Sequence, residues 1–491
     1  MEKLIVHLHP LQIKINPQFV DRRIEVDKLK KAATTGEASI IIMSGRRRVG
    51  KTELLEQTFR DRNILKFEGI EGLGQKEQFL SVMRQLSEYA DEKLIAKTQI
   101  DSWTEFFKIL AQHTKTGKWT IYLEELQWLA NYESTLVSEL KYVWDNYFRH
   151  NPELIIILCG SAPSFMLDQV IHSKALYNRS QYEFNLREFN LLEARTFLNK
   201  RNPVEILDAY LTVGGIPEYL KWVHKESSVY LSLCNHAFSA GSFFSREYEK
   251  IFTSNLAKNI HYFHIIELLT ERKFATRSEL VKILKIKSGG TITKVLLDLE
   301  KSGFIEKYSP FNLADDSKLA RYAISDNYLH FYNKFIRPIY KKIENGDYDS
   351  NPISALNRDS YVKWLGLAFE RFCRKYHTVI AKILGFSGVQ YKSGVFFSRS
   401  TDKMNPGYQI DLIFDRADKV YTICEIKYTQ DKVSSEIIHE FEKKLNLFPN
   451  KGNKTLHKVL ICNEGPDAAL QNRFYFDQII TRADLFNPVY W

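Results

Sequence analysis

Apolar and polar positions follow two periods along this chain. Residues 40–43 (Ile-Ile-Ile-Met) and 153–160 are apolar runs short enough to be buried strands, and residues 118–124 read as a further strand that ends in acidic residues. Between and after them, residues 53–59, 76–93 and 102–113 place apolar side chains three and four apart, the spacing of amphipathic helices. Strands alternating with helices predict a parallel, three-layer α/β sheet. Residues 191–198, 204–210 and 229–244 then read as helices of a lid. Residues 261–270, 276–284 and 291–302 give three more helices, with a turn at 287–290. Two strands, 303–308 and 318–324, follow, joined by a polar loop holding Asp315 and Asp316. Three helices and a hairpin predict a winged helix.

A polar break at 344–352 separates this part from a last α/β segment. That segment reads as a helix at 362–376, strands at 408–414 and 420–428, a helix at 434–447 and strands at 455–462 and near 479–480. The expected division is an N-terminal extension (1–18), an α/β core (19–185), a helical lid (186–254), a winged helix (255–343) and a C-terminal α/β domain (353–491). A length of 491 residues exceeds what one hydrophobic core supports.

Composition narrows the class. The 44% hydrophobic and 26% charged content is ordinary for a globular protein. A formal charge of +10 favours an anionic partner, although scattered lysines also solvate a surface. The five cysteines form no Cys-x-x-Cys pair, and Cys159 and Cys424 lie inside apolar runs, as small buried hydrophobes do. A reduced, cytoplasmic protein without structural zinc is expected. No signal peptide and no membrane-length apolar run is seen, so no membrane partner is expected.

The candidate chemistry starts where the first apolar run ends. Gly45-Arg46-Arg47-Arg48-Val49-Gly50-Lys51-Thr52 fits G-x-x-x-x-G-K-T, with a strand before it and a helix after it, as a P-loop requires. The glycines let backbone N–H groups wrap a polyphosphate at the helix N-terminus. Lys51 would reach the β- and γ-phosphates, and the Thr52 hydroxyl would sit on Mg2+. The expected ligands are therefore ATP and Mg2+. Downstream, the strand ending in Glu124-Glu125 supplies two acids. The first would order the Mg2+ shell and the second would polarise the attacking water. Ser161, at the end of the third run, would touch the γ-phosphate or the water, or else cap the next turn.

Six motifs in order resemble the archaeal ATPases of the AAA type, on the STAND-like branch of P-loop ATPases. They are residues 19–29, Gly45–Leu54, Glu124–Leu129, Leu158-Cys-Gly-Ser161, Leu176-Tyr-Asn-Arg-Ser180 and Gly214-Gly-Ile-Pro-Glu-Tyr-Leu220. The resemblance implies that Pro217, in a Gly-x-Pro element, closes over the base. It also implies that Arg179 matches an arginine that stabilises phosphoryl-transfer charge, with a structural salt bridge as its alternative. The chain departs from the pattern at Glu124, where Asp is usual, and at Asn178, where Gly is common. The first departure points to slower turnover.

The C-terminal domain carries a second constellation. Asp411 ends one strand segment, and Glu425-x-Lys427 lies on the next, where alternation puts both side chains on one face. This resembles the core of PD-(D/E)xK nucleases, and Glu370 matches that family's helix acid. The resemblance implies Mg2+ or Mn2+ on Glu370, Asp411 and Glu425, with Lys427 positioning a water or offsetting negative charge. Two functions follow. One is an ATP-controlled nuclease acting on DNA more than on RNA. The other is a nucleotide-driven switch, assembling as a homo-oligomer, whose nuclease-like domain is silent. A translocating motor is disfavoured, since no second P-loop is present. Lys285, Lys287 and Lys294 would meet DNA phosphates if the winged helix binds DNA.

Overall fold

A computed structural model describes residues 8–20, 22–255, 260–285, 289–309, 311, 320–398 and 407–491. The chain forms two compact units. The first takes the described residues of Met1–Glu188, Lys250–Tyr262 and Ser288–Gly303, and the second those of Phe189–Glu249, Phe263–Lys287 and Phe304–Trp491.

The first unit is built on a parallel sheet of β1 (Ser39–Ser44), β2 (Asn63–Glu68), β3 (Trp119–Glu124), β4 (Ile155–Gly160) and β5 (Ser180–Asn185), in the order β2-β3-β4-β1-β5. Ile40, Ile42, Leu65, Phe67, Ile121, Leu123, Ile156 and Leu158 pack into one core with the helices Gln75–Ala90, Trp103–His113 and Thr135–Asn146. The alternate residues Ile41, Met43, Ile64, Tyr122, Ile155 and Ile157 are buried too. Burial on both faces is the reason the central strands read as unbroken apolar runs. The parallel α/β expectation therefore holds. Strands β2 and β5 escaped the sequence reading because they are the sheet's edges. Their patterns, Asn-Ile-Leu-Lys-Phe-Glu and Ser-Gln-Tyr-Glu-Phe-Asn, mix polar residues into every turn of the strand.

The second unit holds a sheet in the order β13-β12-β11-β10-β9, formed by β9 (Tyr391–Ser398), β10 (Tyr408–Arg416), β11 (Val420–Lys427), β12 (Thr455–Cys462) and β13 (Gln478–Ile480). Strands β9, β10 and β11 run antiparallel, while β11, β12 and β13 run parallel. The helix Arg358–Lys375 contacts β10 and β11. Again the missed strand, β9, is an edge. A small antiparallel sheet, β6 (Ala275–Thr276), β8 (Arg321–Ile324) and β7 (Ile305–Tyr308), belongs to the same unit.

One expected helix is corrected. Residues 229–244 form two helices, Val229–Ala237 and Phe243–Asn255, because Gly241 adopts φ 67 between them. That left-handed conformation interrupts the i→i−4 ladder, and glycine reaches it without a Cβ clash. Lys287, Asp315 and Asp316 lie outside the described residues.

Candidate nucleotide site and C-terminal carboxylate site

The loop between β1 and the helix Lys51–Phe59 turns through Gly45 (φ 149), Arg48 (φ 68) and Gly50 (φ 89). At Gly45 the backbone of Leu186 lies so close that a Cβ would stand 2.5 Å from its carbonyl oxygen. Only glycine lets β1 and the chain after β5 meet there. Lys51 is buried and donates to the carbonyls of Gly45 (2.8 Å) and Arg46 (3.1 Å). Its ammonium is thereby held inside the loop. The Thr52 hydroxyl donates to Oε1 of Glu124. Lys51, Thr52 and Glu124 thus come together from elements 72 residues apart. These donors fit a Mg2+-bound triphosphate: an ammonium in a glycine loop, a hydroxyl and a carboxylate side by side.

Two groups that sequence reasoning missed complete this site. Lys66, on edge strand β2, places Nζ 2.7 Å from Oε2 of Glu124 and 3.3 Å from Glu56. Burial works against the Lys66 ammonium, but Glu124 and Glu56 together hold its pKa above the usual lysine value. Arg22 is buried and donates to the carbonyls of Arg187 and Val49, each at 2.8 Å, clamping the loop from behind. Strand pairing of Glu68 with Glu124 could have flagged Lys66, two residues back on the same face. No local signal marks Arg22, whose bonds to the Arg187 and Val49 carbonyls reach main-chain atoms far along the chain.

Glu125 follows in a left-handed conformation, φ 48, which is uncommon outside glycine and asparagine. That turn swings the side chain away from β3. Its Oε2 accepts hydrogen bonds from Ser161 Oγ (2.8 Å) and Gln127 Nε2 (2.6 Å), and Arg47 Nε stands 3.5 Å from Oε1. Ser161, at the end of β4, is therefore a partner of Glu125. Gly69 leaves room for the turn, since a Cβ there would stand 2.8 Å from the Glu125 carbonyl oxygen. Nearby, burial pushes the Cys159 thiol up to about 12, so it stays a neutral core group.

The remaining predicted residues lie elsewhere. Arg179 makes a two-point pair with Asp145, Nε to Oδ1 at 2.8 Å and the terminal nitrogen to Oδ2 at 2.9 Å. This is the salt-bridge alternative, and Lys141 also reaches Asp145 at 3.1 Å. Asn178 takes φ 59, which explains a position where glycine is common and asparagine is tolerated. Pro217 opens the helix Pro217–Val223 in the second unit. Lys294 stands 3.8 Å from Asp168, while Asp298 on the same helix is buried and accepts from Ser164 N–H (2.8 Å) and Tyr262 (2.6 Å).

In the second unit, the β10–β11 register pairs Leu412 with Cys424, which brings Asp411 and Glu425 to the next positions along the ladder. Asp411 and Glu425 are buried. Asp411 accepts from Gln409 Nε2 (3.1 Å) and from the Ile426 N–H (3.3 Å). Glu370 pairs with Arg374 at 3.3 Å. Burial and then the nearby Asp411 raise the carboxyl pKa of both Glu370 and Glu425. Lys427 lies 3.3 Å from Glu425 and 3.4 Å from Glu440. A residue not foreseen, Lys444 on the helix Ile437–Leu447, donates to both oxygens of Glu425, at 2.8 and 2.6 Å. Among the described residues, no group of three or more His, Cys, Asp or Glu side chains is disposed to hold a metal ion. No described helix is long and apolar enough to cross a membrane, and all five cysteines are free and buried.

Residues 19–223 match the model of an ATPase domain found predominantly in Archaea. An uncharacterised protein of Methanocaldococcus jannaschii is 26% identical over 435 residues, covering 87% of this chain and 92% of that protein. Among solved structures, a Walker-type ATPase of Pyrococcus abyssi is similar at 18% identity and TM-score 0.49, over 67% of this chain and 99% of that one. The ORC2 protein of Aeropyrum pernix is similar at 14% identity and TM-score 0.41, over 71% of this chain and 96% of that one. The family match and the P-loop geometry agree: residues 19–223 are similar to an ATPase domain found predominantly in Archaea.

Proposed function

We propose that the first unit binds Mg2+-ATP and hydrolyses it, with turnover slowed by Glu124 and Lys66. The Thr52–Glu124 hydrogen bond beside the Lys51 ammonium carries this reading. Bound Mg2+ would neutralise charge on the phosphate oxygens. Thr52 and, through water, Glu124 would hold it. Lys51 would turn from the Gly45 and Arg46 carbonyls toward the phosphates. Glu125 is fixed by Ser161, Gln127 and Arg47, so its carboxylate can orient a water and accept its proton. Lys51→Ala is expected to lose ATP binding. Glu125→Gln should keep ATP binding while turnover falls about 100-fold or more. Hydrolysis at the wild-type rate by Glu125→Gln, measured as phosphate release, would remove Glu125 from this role.

The finer organisation belongs to the same proposal. Residues 186–254 act as a lid, 255–343 as a winged helix and 353–491 as a PD-(D/E)xK-like scaffold, in a cytoplasmic, nucleotide-switched protein of the STAND type that forms homo-oligomers. Nucleic acid, DNA more than RNA, is the proposed partner, in keeping with the +10 charge. Of the two uses of the C-terminal scaffold, the silent one is favoured by Lys444 on Glu425. DNA incubated with Mg2+ or Mn2+ should show no cutting that Asp411→Ala abolishes. Asp411-dependent cutting would instead make the domain a nuclease.

A further inference from the structure

The C-terminal carboxylates do not fit a divalent cation as they stand. Mg2+ and Mn2+ bind through oxygen lone pairs converging on one point. Here each acid is already engaged by the protein. Glu370 meets Arg374, and both oxygens of Asp411 accept hydrogen bonds. Glu425, whose side chain is only 1% exposed, has Lys444 Nζ at 2.8 and 2.6 Å from its two oxygens and Lys427 at 3.3 Å from Oε1. A carboxylate so buried must be compensated. The ammonium of Lys444 bridges both oxygens, the position a metal bound by a two-oxygen carboxylate would take.

We infer that Lys444 is the resident cation of this pocket, and that it excludes divalent metal from Glu425. The inference rests on reading the second unit as a PD-(D/E)xK-like scaffold. Arg374 stands on Glu370, and Lys427 and Lys444 both stand on Glu425, while Lys427 also reaches Glu440. A divalent ion entering beside two lysine ammonium groups would meet like charge. Removing Lys444 leaves Lys427 on Oε1 of Glu425 and opens Oε2 to a cation.

The test is Mn2+ binding, followed by calorimetry and by electron paramagnetic resonance. It uses the full-length protein without nucleotide, so that the P-loop site has no phosphate to hold metal. Wild type, Lys444→Met and Lys444→Met combined with Asp411→Asn are compared, with circular dichroism and melting checking each fold. Lys444→Gln, which keeps one hydrogen bond to Glu425, serves if the methionine variant does not fold. Wild type is expected to show no Asp411-dependent Mn2+ site. The Lys444 variant should gain one, and adding Asp411→Asn should weaken Mn2+ binding by about tenfold or more. An Mn2+ site in wild type that Asp411→Asn abolishes overturns the role of Lys444 but leaves the nuclease-like scaffold standing. Absence of an Asp411-dependent site in wild type and in both folded Lys444 variants overturns the scaffold reading as well.

Discussion

Lys66 on a strand and Lys444 on a helix do the same kind of work: each sets an ammonium against a carboxylate that sequence motifs reserve for metal. Lys66 is partly exposed and shares Glu124 with Thr52, so under the proposed function it would weaken the acid's pull on Mg2+ without replacing the ion. Lys66→Met should therefore lower the Mg2+ concentration for half-maximal ATP turnover by roughly threefold, in line with a screened charge pair. An unchanged Mg2+ titration would show that the lysine does not act on Glu124. The motif residues Gly45, Gly50, Lys51 and Thr52 were legible because a P-loop is a local object, built from eight consecutive residues. Lys66 and Lys444 were not. Each reaches its partner across a strand pair or from a distant helix, and a single lysine in an amphipathic element carries no mark of what it will face.

Elements explain where motifs came from. Gly215 belongs to a Gly-Gly-Ile-Pro motif, and its carbonyl accepts the Phe189 N–H at 2.8 Å. A Cβ at Gly215 would collide with the Phe189 backbone, which cannot swing aside as a side chain could. Gly215→Ala is expected to destabilise the second unit by about 2 kcal/mol or more, read as a lower urea midpoint. Tolerance of the alanine would mean that the two segments can separate freely. In the first unit Arg22 ties Val49 to Arg187, so Arg22→Ala should cost about 2–3 kcal/mol, the loss of charge-assisted bonds to two carbonyls. A midpoint unchanged from wild type would show that water replaces the guanidinium. The helices Gln75–Ala90 and Trp103–His113 and the central strands were readable from hydrophobic period, whereas Thr135–Asn146 was not read. The edge strands β2, β5 and β9 were not, since an edge has no second neighbour to demand continuous apolarity.

Across the second unit as a whole, two half-buried titratable groups set an opposed pH response. Burial pulls His330 down to about 3, with Arg371 adding to the effect, so the folded unit holds it neutral. An unfolded histidine protonates near 6.5, and stability from this group is lost as pH falls below that value toward 3. Asp208 behaves the other way. Burial raises it to about 6, against the favourable bond from Tyr428. Its contribution is full below the unfolded value near 3.8 and is lost as pH rises through 6. Asp208→Asn should therefore raise stability at pH 8 by about 3 kcal/mol at most and leave it nearly unchanged at pH 4. Equal effects at both pH values, in chemical denaturation, would show that ionisation of Asp208 does not oppose folding.

By itself the sequence determined the P-loop, the acid pair closing β3, the parallel α/β class of the first sheet and the adjacency of Glu425 and Lys427 on one strand face. All of these depend on near neighbours or on a period of two or 3.6 residues. Tertiary structure alone decided that Arg179 pairs with Asp145, that Ser161 and Gln127 pin Glu125, and that lysines stand on Glu124 and Glu425. Those outcomes depend on which distant side chain compensates a buried charge. That choice is made by desolvation and geometry once the sheets have assembled, and no local pattern encodes it.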